Sequence, residues 1–331
     1  MHAVDTPPTR ATGAPGGPGG PGSTRPGARR RKRRNPESSR LPWLLAAPAL
    51  LLLAALLAYP MGRMVVLSFQ NMQLRELWSG AAPPWVGLDQ YTKVLGDSVF
   101  WAVVGRTVLF TVVSVTLTVL IGLMIALLMR RVHKAVRMAM IVAMMFVWAL
   151  PALVQAQAFK MMTDSNIGVL NYLIDKLPGV EFQNHSWFFT PAQGWIVITA
   201  CVLWAGIPFL AITLNAGLTQ VPKELLEAAT VDGANAWQSF RNITIPILKP
   251  LLVIVTTLSV IWNFGLFTQN WVLRDGKPEP EFQTLATYSY LQAFAQNKYS
   301  LGSAIAVITV ILLLGAMAVY IRQMFKIGEV D

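Results

Sequence analysis

The sequence has few charged residues, a single cysteine and three histidines. Charged side chains make up 13% of the 331 residues and hydrophobic ones 54%, which is too apolar for an ordinary soluble domain of this length. The lone cysteine, Cys201, excludes an intramolecular disulfide and a zinc site built from four cysteines. Since the histidines show no metal-ligand spacing, we expect no metal site. The composition predicts an integral membrane protein.

Motifs for nucleotide hydrolysis and for catalysis in a membrane are also missing. The chain has no Gly-x-x-x-x-Gly-Lys-Ser/Thr phosphate loop, so we expect it to bind no ATP or other cofactor itself. Asp164, Asp175 and Glu181 are too loosely spaced for the acidic pair of a glycosyltransferase, which leaves that class a weaker alternative. No ionisable side chain lies within the long apolar runs, which disfavours a proton-coupled secondary transporter.

The net charge of +11 does not indicate a nucleic-acid partner, because the basic residues concentrate in a tail and in short links. Residues 1–40 are rich in Pro, Gly and Arg, and we expect them to form a disordered cytoplasmic tail. The basic run from Arg29 to Arg34 precedes the first apolar segment, where it can contact anionic lipid head groups. We therefore predict membrane lipid as the partner of this tail.

Six apolar runs are long enough to cross a membrane. About 20 apolar residues span the ~30 Å hydrocarbon core as a helix, which bonds every backbone N–H and C=O internally. We predict an all-α polytopic domain over residues 41–331, with helices at about 41–61, 107–129, 138–159, 193–218, 250–273 and 299–321. Pro60, Pro151 and Pro208 interrupt these runs, as packing kinks or as gating hinges.

The placement of Lys and Arg predicts the orientation of these helices. With the N-terminus inside, eighteen of the 27 basic residues lie on the cytoplasmic side, in keeping with the positive-inside rule. Both termini and the link 221–246 are then cytoplasmic, whereas the long links 70–106, 160–192 and 274–298 lie outside.

The link 221–246 has the pattern of a helix, a turn and a second helix. Pro222 suits a first helical position, and Gly233 suits the left-handed conformation that ends a helix. Leu225, Ala228 and Ala229 share one face by their spacing, and Trp237 with Phe240 makes a second apolar pair. Such a short apolar face requires a partner, although an amphipathic link lying on the membrane surface remains the alternative.

The same link carries a family resemblance. Glu227-Ala228-Ala229, then Gly233, then Ile243-Thr244-Ile245-Pro246 resembles the cytoplasmic loop motif of binding-protein-dependent ABC importer permeases, with Ile245 where leucine is usual. The resemblance implies that residues 221–246, the coupling loop, dock as a coupling helix on a cytoplasmic ATPase, and that Glu227 reaches a basic group there. The coupling residues are then Leu225, Glu227, Ala228, Ala229, Gly233 and Pro246.

Two further segments resemble the carbohydrate, maltose-type branch of these permeases. They are Val86-Gly87-Leu88-Asp89-Gln90-Tyr91, followed by Arg106 where asparagine is common, and the segment from Trp271 to Pro278. The resemblance implies a bacterial cytoplasmic membrane and transport by alternating access. It also implies a cytoplasmic ATPase dimer that holds ATP and Mg²⁺, a second permease subunit in a heterodimer, and an extracytoplasmic solute-binding protein. An importer of another solute, such as glycerol phosphate, would share the coupling loop.

Polar residues within the apolar runs are candidates for the substrate pathway. Amide side chains and aromatic rings suit a sugar, which presents hydroxyls and CH faces. The alternative is that the amides only join neighbouring helices. The segment 263–269 resembles permeases for oligosaccharides such as chitobiose. The candidates are Gln155, Gln157, Asn263, Phe264, Gln269 and Asn270.

Overall fold

The computed structural model describes residues 41–179 and 181–326, and within them it is helical with no β-strand. The predicted tail, residues 1–40, lies outside the described residues. The chain divides into two units: residues up to Leu53, of which α1 (Leu41–Leu53) is described, and a permease unit from Ala54 onward. The α-helices of the permease unit are α2 (Tyr59–Ser68), α3 (Leu74–Ser79), α4 (Asp89–Leu95), α5 (Ser98–Arg131), α6 (Lys134–Ala149), α7 (Ala152–Met162), α8 (Val169–Asp175), α9 (Pro191–Leu218), α10 (Lys223–Val231), α11 (Ala236–Ser239), α12 (Ile245–Phe264), α13 (Thr268–Leu273), α14 (Leu285–Tyr290) and α15 (Tyr299–Lys326). π-Helical turns cover Ala54–Ala58, Phe240–Thr244 and Leu291–Ala295, and a 3₁₀ turn covers Pro280–Phe282.

Five stretches of the described chain are long and apolar enough to cross a membrane, and a bent pair of helices makes a sixth. The stretches are Leu44–Ser68, Ser98–Arg131, Pro191–Leu218, Ala236–Leu273 and Tyr299–Arg322, with the pair Lys134–Ala149 and Ala152–Met162. The all-α polytopic fold predicted from the sequence is confirmed.

The helix predicted over residues 138–159 is not continuous. It consists of α6 and α7, which meet at an angle of 97° around Leu150 and Pro151. Pro151 has no N–H to continue the α6 ladder, so carbonyls at the end of α6 lose their helical partners. The Gln155 amide Nε2 donates to the carbonyls of Leu150 (2.9 Å) and Val147 (3.4 Å) and replaces part of this loss.

Two other sequence expectations concern helix continuity. The membrane span predicted over 250–273 lies within the single stretch Ala236–Leu273, although the α-helix is interrupted there between Phe264 and Thr268. The interruption expected at Pro208 is wrong, because α9 runs through this residue.

The core of the permease unit lies along α5, α9 and α12. The two long helices α5 and α9 approach closely at Gly122, where an added Cβ would lie 3.0 Å from Leu210 Cβ. Three buried threonines on α5, Thr107, Thr111 and Thr118, donate their hydroxyls to carbonyls one turn earlier in the same helix, at 2.8, 2.7 and 2.6 Å. The α5 surface can therefore be buried without unsatisfied hydroxyls at these threonines.

The segment 274–298 folds back over the end at which α5 begins. Thr107 Oγ1 accepts from the Leu285 N–H at 3.0 Å, and the Tyr288 hydroxyl donates to Asp97 Oδ2 at 2.9 Å. Burial, and then the bond to Asp97, raise the pKa of Tyr288 to about 12. The hydroxyl therefore remains a donor at neutral pH and ties α14 to the start of α5.

Candidate functional site

The coupling loop folds as the predicted helix, turn and helix. Gly233 has φ +82° and ends α10, with its N–H on the Thr230 carbonyl (3.1 Å) and the Ala234 N–H on the Ala229 carbonyl (2.9 Å). This pair of bonds is a Schellman motif, which favours glycine at the left-handed position. Asn235 then opens α11 through a reciprocal capping box with Gln238. Pro222 lies one position earlier than predicted, at the N-cap of α10.

α10 presents two different faces. Glu224, Glu227, Ala228 and Val231 have the spacing i, i+3, i+4, i+7 of one helical stripe, and all four are exposed, Val231 by 87%. Leu225 is also exposed, by 47%. We call these five residues the α10 exposed face. Among the described residues, Glu224 and Glu227 form no ion pair.

The opposite face of α10 faces the ends of the membrane helices across a cavity. Leu226 and Thr230 line this cavity of ≈ 650 Å³, which also reaches Trp237 and the end of α5. Ala229 is half-buried, so the predicted face of Leu225, Ala228 and Ala229 is divided between the two sides. Leu226, which the predicted face did not include, is the apolar side chain of α10 on the cavity side.

The helices next to the coupling loop are joined to each other. The Arg130 guanidinium, at the end of α5, donates to the Leu218 carbonyl that ends α9. Within the loop, the predicted pair of Trp237 and Phe240 is in contact, with ring centroids 5.6 Å apart. Pro246 lies in the first turn of α12, where its missing N–H costs no helical bond. The loop therefore begins and ends at α9 and α12, and α9 is bonded to α5.

A second candidate site is a cavity of ≈ 310 Å³ between α5, α7, α9 and the α12–α13 break. It brings together three of the six predicted pathway residues, Gln155, Asn263 and Gln269, and we call it the amide cavity. Thr118, Ser259 and Thr268 add hydroxyls to its wall, and Trp148 and Trp262 add indole rings. None of the described residues that line it is charged.

Asn263 is the polar group in this cavity with an unused acceptor. Its side chain is only 6% exposed, and its Nδ2 donates to the Ser259 carbonyl at 2.7 Å. Its Oδ1 is buried and has no partner among the described groups. Because a buried carbonyl oxygen without a hydrogen bond is costly, this atom is suited to accept a hydroxyl from a solute.

The other three predicted pathway residues lie elsewhere. Phe264 is buried in the core against α5, α14 and α15. Asn270 is fully buried, and its Nδ2 donates to the Phe282 carbonyl at 2.7 Å. Gln157 is exposed on α7, away from the cavity lining. The break after Phe264 turns α13 away from the α12 register, which separates Asn270 from Asn263.

The sequence interpretation missed Trp148 and Thr118 as cavity residues. Trp148 and Trp262 are joined through Phe209, with ring centroids 5.8 and 5.3 Å from it. Thr118 faces the cavity from α5. Both residues lie inside long apolar runs, where periodicity alone does not distinguish a cavity wall from a packed face.

Charged residues link the α7 and α13 ends beside the cavity. Lys160 at the end of α7 pairs with Asp275, and Arg274 pairs with Glu279. The Arg274 guanidinium also lies over the rings of Phe188 (4.5 Å) and Phe282 (5.0 Å). Its hydrogen bond is the main reason why the pKa of Glu279 lies below the usual range.

Comparison with known proteins identifies the family. Residues 118–326 match the model of the binding-protein-dependent transport system inner membrane component. The diacetylchitobiose uptake system permease protein DasB of Streptomyces coelicolor is 35% identical over 87% of this chain and 88% of its own. The sulfoquinovosyl glycerol transport system permease protein SmoG of Agrobacterium fabrum is 32% identical over 84% of this chain and 88% of its own.

The fold has a counterpart among solved structures. A chain of a bacterial alginate ABC transporter, crystallised with an alginate pentasaccharide-bound periplasmic protein, superposes with a TM-score of 0.72. The match covers 87% of this chain and 94% of that chain at 17% identity, so it concerns the fold alone. The resemblance read from residues 227–246 is thus confirmed: the chain belongs to the family of binding-protein-dependent transport system inner membrane components, the membrane permease subunits of ABC transporters.

Proposed function

We propose that this permease carries a neutral sugar or oligosaccharide through the amide cavity, driven by an ATPase that docks on the α10 exposed face. The observation that carries the proposal is the pairing of an uncharged, amide- and tryptophan-lined cavity with an exposed helix whose other side faces the ends of α5 and α9 across a second cavity. The chain itself serves as the transport subunit, and ATP with Mg²⁺ binds on the partner ATPase.

The chemistry of the cavity supports a sugar as the solute. The Asn263 carbonyl oxygen and the hydroxyls of Thr118 and Ser259 can exchange hydrogen bonds with sugar hydroxyls, and the indoles of Trp148 and Trp262 can stack on CH faces. A phosphorylated solute would call for a cation in the lining, and the described lining has none. A relative named for the uptake of diacetylchitobiose, an uncharged disaccharide, agrees with a neutral sugar.

The geometry of α10 supports docking on an ATPase. An exposed Ala228 lets a partner approach the helix backbone, while Val231 and Leu225 offer apolar contact on either side. Glu227 is available for a basic group because it has no ion-pair partner among the described residues. Movement of the docked ATPase would pass through Leu226 and Thr230 to the ends of α5 and α9.

The assembly around this chain follows from the same proposal. An ATPase dimer offers two docking clefts, so a second permease subunit, forming a heterodimer with this one, takes the other cleft. A solute-binding protein delivers the sugar at the opposite side of the membrane. Both termini and the coupling loop are then cytoplasmic, in a bacterial cytoplasmic membrane, and the segment 274–298 faces the binding protein.

Co-purification tests the ATPase contact. The transporter is solubilised in mild detergent and purified through this chain, and its companions are identified by mass spectrometry for wild type, Glu227→Lys and Glu181→Lys. We expect a P-loop ATPase and a second permease with wild type, and loss of the ATPase alone with Glu227→Lys. Glu181→Lys makes the same charge change at an exposed carboxylate outside the coupling loop that forms no ion pair among the described residues, and we expect it to retain the ATPase. Equal loss in both variants would show a general charge effect and contradict the assigned role of Glu227.

Transport assays test the solute. Proteoliposomes that contain the assembled transporter and its binding protein are supplied with ATP and with radiolabelled diacetylchitobiose or glycerol 3-phosphate. We expect ATP-dependent uptake of the disaccharide. Uptake of glycerol phosphate in its place would contradict the sugar assignment while leaving the ATPase contact intact.

A further inference from the structure

A groove on the membrane surface of the molecule lies on the side of α5 and α9 that does not line the amide cavity. It has a volume of ≈ 610 Å³, and its walls are almost wholly apolar. Leu109, Val113 and Ile196 are exposed there by 64%, 40% and 63%. Both helices enter the groove at the same end, with Arg106 on α5 and Pro191 on α9, and run alongside each other to Leu117 and Leu203.

The length of the groove corresponds to one leaflet of a bilayer. Leu117 lies eleven residues after Arg106, which corresponds to a rise of about 16 Å along α5 at ~1.5 Å per residue. Half of the ~30 Å hydrocarbon core is about 15 Å. An apolar groove of this length, open along two membrane-spanning helices, matches a fatty-acyl chain that starts at the membrane boundary.

The mouth of the groove carries two opposite charges that are not paired with each other. Among the described ion pairs, neither Arg106 nor Glu281 occurs, although Glu281 is close enough to act on the Arg106 charge. The Arg106 Nε is buried and has no hydrogen-bond partner among the described groups. A half-buried guanidinium at the edge of a membrane is costly unless an anion or water satisfies its donors.

Aromatic packing holds this mouth in place. The Trp195 indole N–H donates to the Glu281 carbonyl at 3.1 Å, and the Trp195 ring lies 5.3 Å from Phe110 and 6.3 Å from Phe282. These contacts hold Glu281, the residue before Phe282, against the start of α9. Glu281 and Arg106 are therefore presented on either side of one opening rather than on independent loops.

We propose that the α5–α9 groove is a binding site for a zwitterionic phospholipid of the phosphatidylethanolamine type. The phosphate accepts hydrogen bonds from the Arg106 guanidinium, the ammonium lies at the Glu281 carboxylate, and one acyl chain occupies the groove down to Leu117. Arginine suits the phosphate because its planar fork can donate two parallel bonds. An anionic phospholipid would satisfy Arg106 and leave Glu281 facing a negative head group, so the pair of charges favours the zwitterion.

Lipid retention tests the proposal. The transporter is reconstituted with its partner subunits into nanodiscs of equimolar phosphatidylethanolamine and phosphatidylglycerol, extracted into detergent, and its retained phospholipids are quantified by mass spectrometry. We expect enrichment of phosphatidylethanolamine with wild type and a roughly fivefold loss with Arg106→Gln, the size expected for losing a charge-assisted phosphate contact. Glu281→Gln keeps the phosphate donor, and we expect retention of both lipids with no preference.

Two further variants test whether the change in lipid retention is specific to the groove. Val113→Trp fills the groove at an exposed position and is expected to reduce retention as Arg106→Gln does. Arg75→Gln removes an arginine on α3, outside the groove lining, and is expected to leave the lipid content unchanged. Retention that is equal in wild type, Arg106→Gln and Val113→Trp would overturn the proposal.

Photo-crosslinking identifies the occupant directly. With Leu109→p-benzoylphenylalanine in the assembled transporter, we expect an adduct with phosphatidylethanolamine. A crosslink from this position to a partner subunit would show that the groove is a protein interface and would also overturn the proposal. An adduct with phosphatidylglycerol alone would overturn the head-group assignment.

Discussion

The α10 exposed face and the amide cavity differ in how their polar groups are satisfied. Glu227 on α10 is exposed and forms no ion pair among the described residues, whereas Gln155 in the cavity spends its amide N–H groups on the backbone of the α6–α7 bend. The charged and apolar side chains of the α10 exposed face can be satisfied only by contact with another molecule. In the amide cavity, several polar atoms are already hydrogen-bonded within the chain and are not available to a solute. Asn263 Oδ1 is the clearest acceptor that has no such bond.

The difference predicts two kinds of mutational effect. Changes on α10 should impair assembly and transport while the chain stays folded. Changes in the membrane region should affect folding or transport according to whether the altered group is bonded within the chain. Single substitutions in the two regions can therefore separate the two kinds of effect.

The largest effect is expected at Ala228. Replacement by Trp, Ala228→Trp, would hold a partner away from the α10 backbone without any clash inside the chain, since the side chain is exposed. We expect sugar uptake in proteoliposomes to fall by roughly tenfold or more, equivalent to ~1.4 kcal/mol or more of docking energy. Ala228→Ser adds only a hydroxyl and should retain uptake. Loss of folded protein with Ala228→Trp, seen as early aggregation on size-exclusion chromatography, would contradict the description of this face as free.

The coupling loop was almost entirely predictable because its signals are local. Gly233 and the residues around it specify the end of α10 within a few positions of the chain, and the position of Pro222 was off by one. The spacing of residues in α10 did not show which side faces the membrane helices. Leu226 faces a cavity shared with the ends of α5 and α9, and these helix ends are determined by residues distant in the sequence.

The amide cavity was only partly predictable because it depends on where helices break. Pro151 signalled a break but not the 97° angle with which α7 leaves α6 and packs against α13. The interruption between Phe264 and Thr268 has no proline near it, so the sequence predicted one helix that contains both Asn263 and Asn270. The structure places these residues in different surroundings.

A matched pair of asparagine substitutions comes next in expected size. Asn270→Leu leaves the buried Phe282 carbonyl without its donor, which costs ~1–3 kcal/mol of stability. Asn263→Leu removes a bond to the Ser259 carbonyl, one turn back in the same helix, and so leaves that carbonyl its helical partner. We expect Asn270→Leu to lower the thermal unfolding midpoint in detergent, and Asn263→Leu to lower sugar uptake at a nearly unchanged midpoint.

The opposite pattern in this pair would contradict the distinction between an amide bonded to a distant part of the chain, Asn270, and an amide bonded within its own helix, Asn263. If Asn263→Leu destabilised the protein more than Asn270→Leu, the Asn263 amide would have a structural role. If Asn270→Leu abolished uptake without lowering the midpoint, the pathway would pass beside α13.

The smallest effect is expected for acid, and it compares two glutamates. The bond from Arg274 lowers the pKa of Glu279, so the ionised form is favoured in the folded chain. Its stabilisation is therefore complete above the unfolded pKa of about 4.3 and is lost as the pH falls through the lower folded value. Because Glu279 is 43% exposed in this pair, solvent screening limits the gain to under ~1 kcal/mol.

Unfolding midpoints of the detergent-solubilised chain should show that Glu279→Gln lowers stability at pH 7 and that this deficit shrinks below about pH 4.3. Glu227→Gln, at a carboxylate without an ion pair among the described residues, should show no such deficit at either pH. A deficit for Glu279→Gln that stayed constant down to pH 3 would mean that the side chain stabilises the fold by packing rather than by its charge.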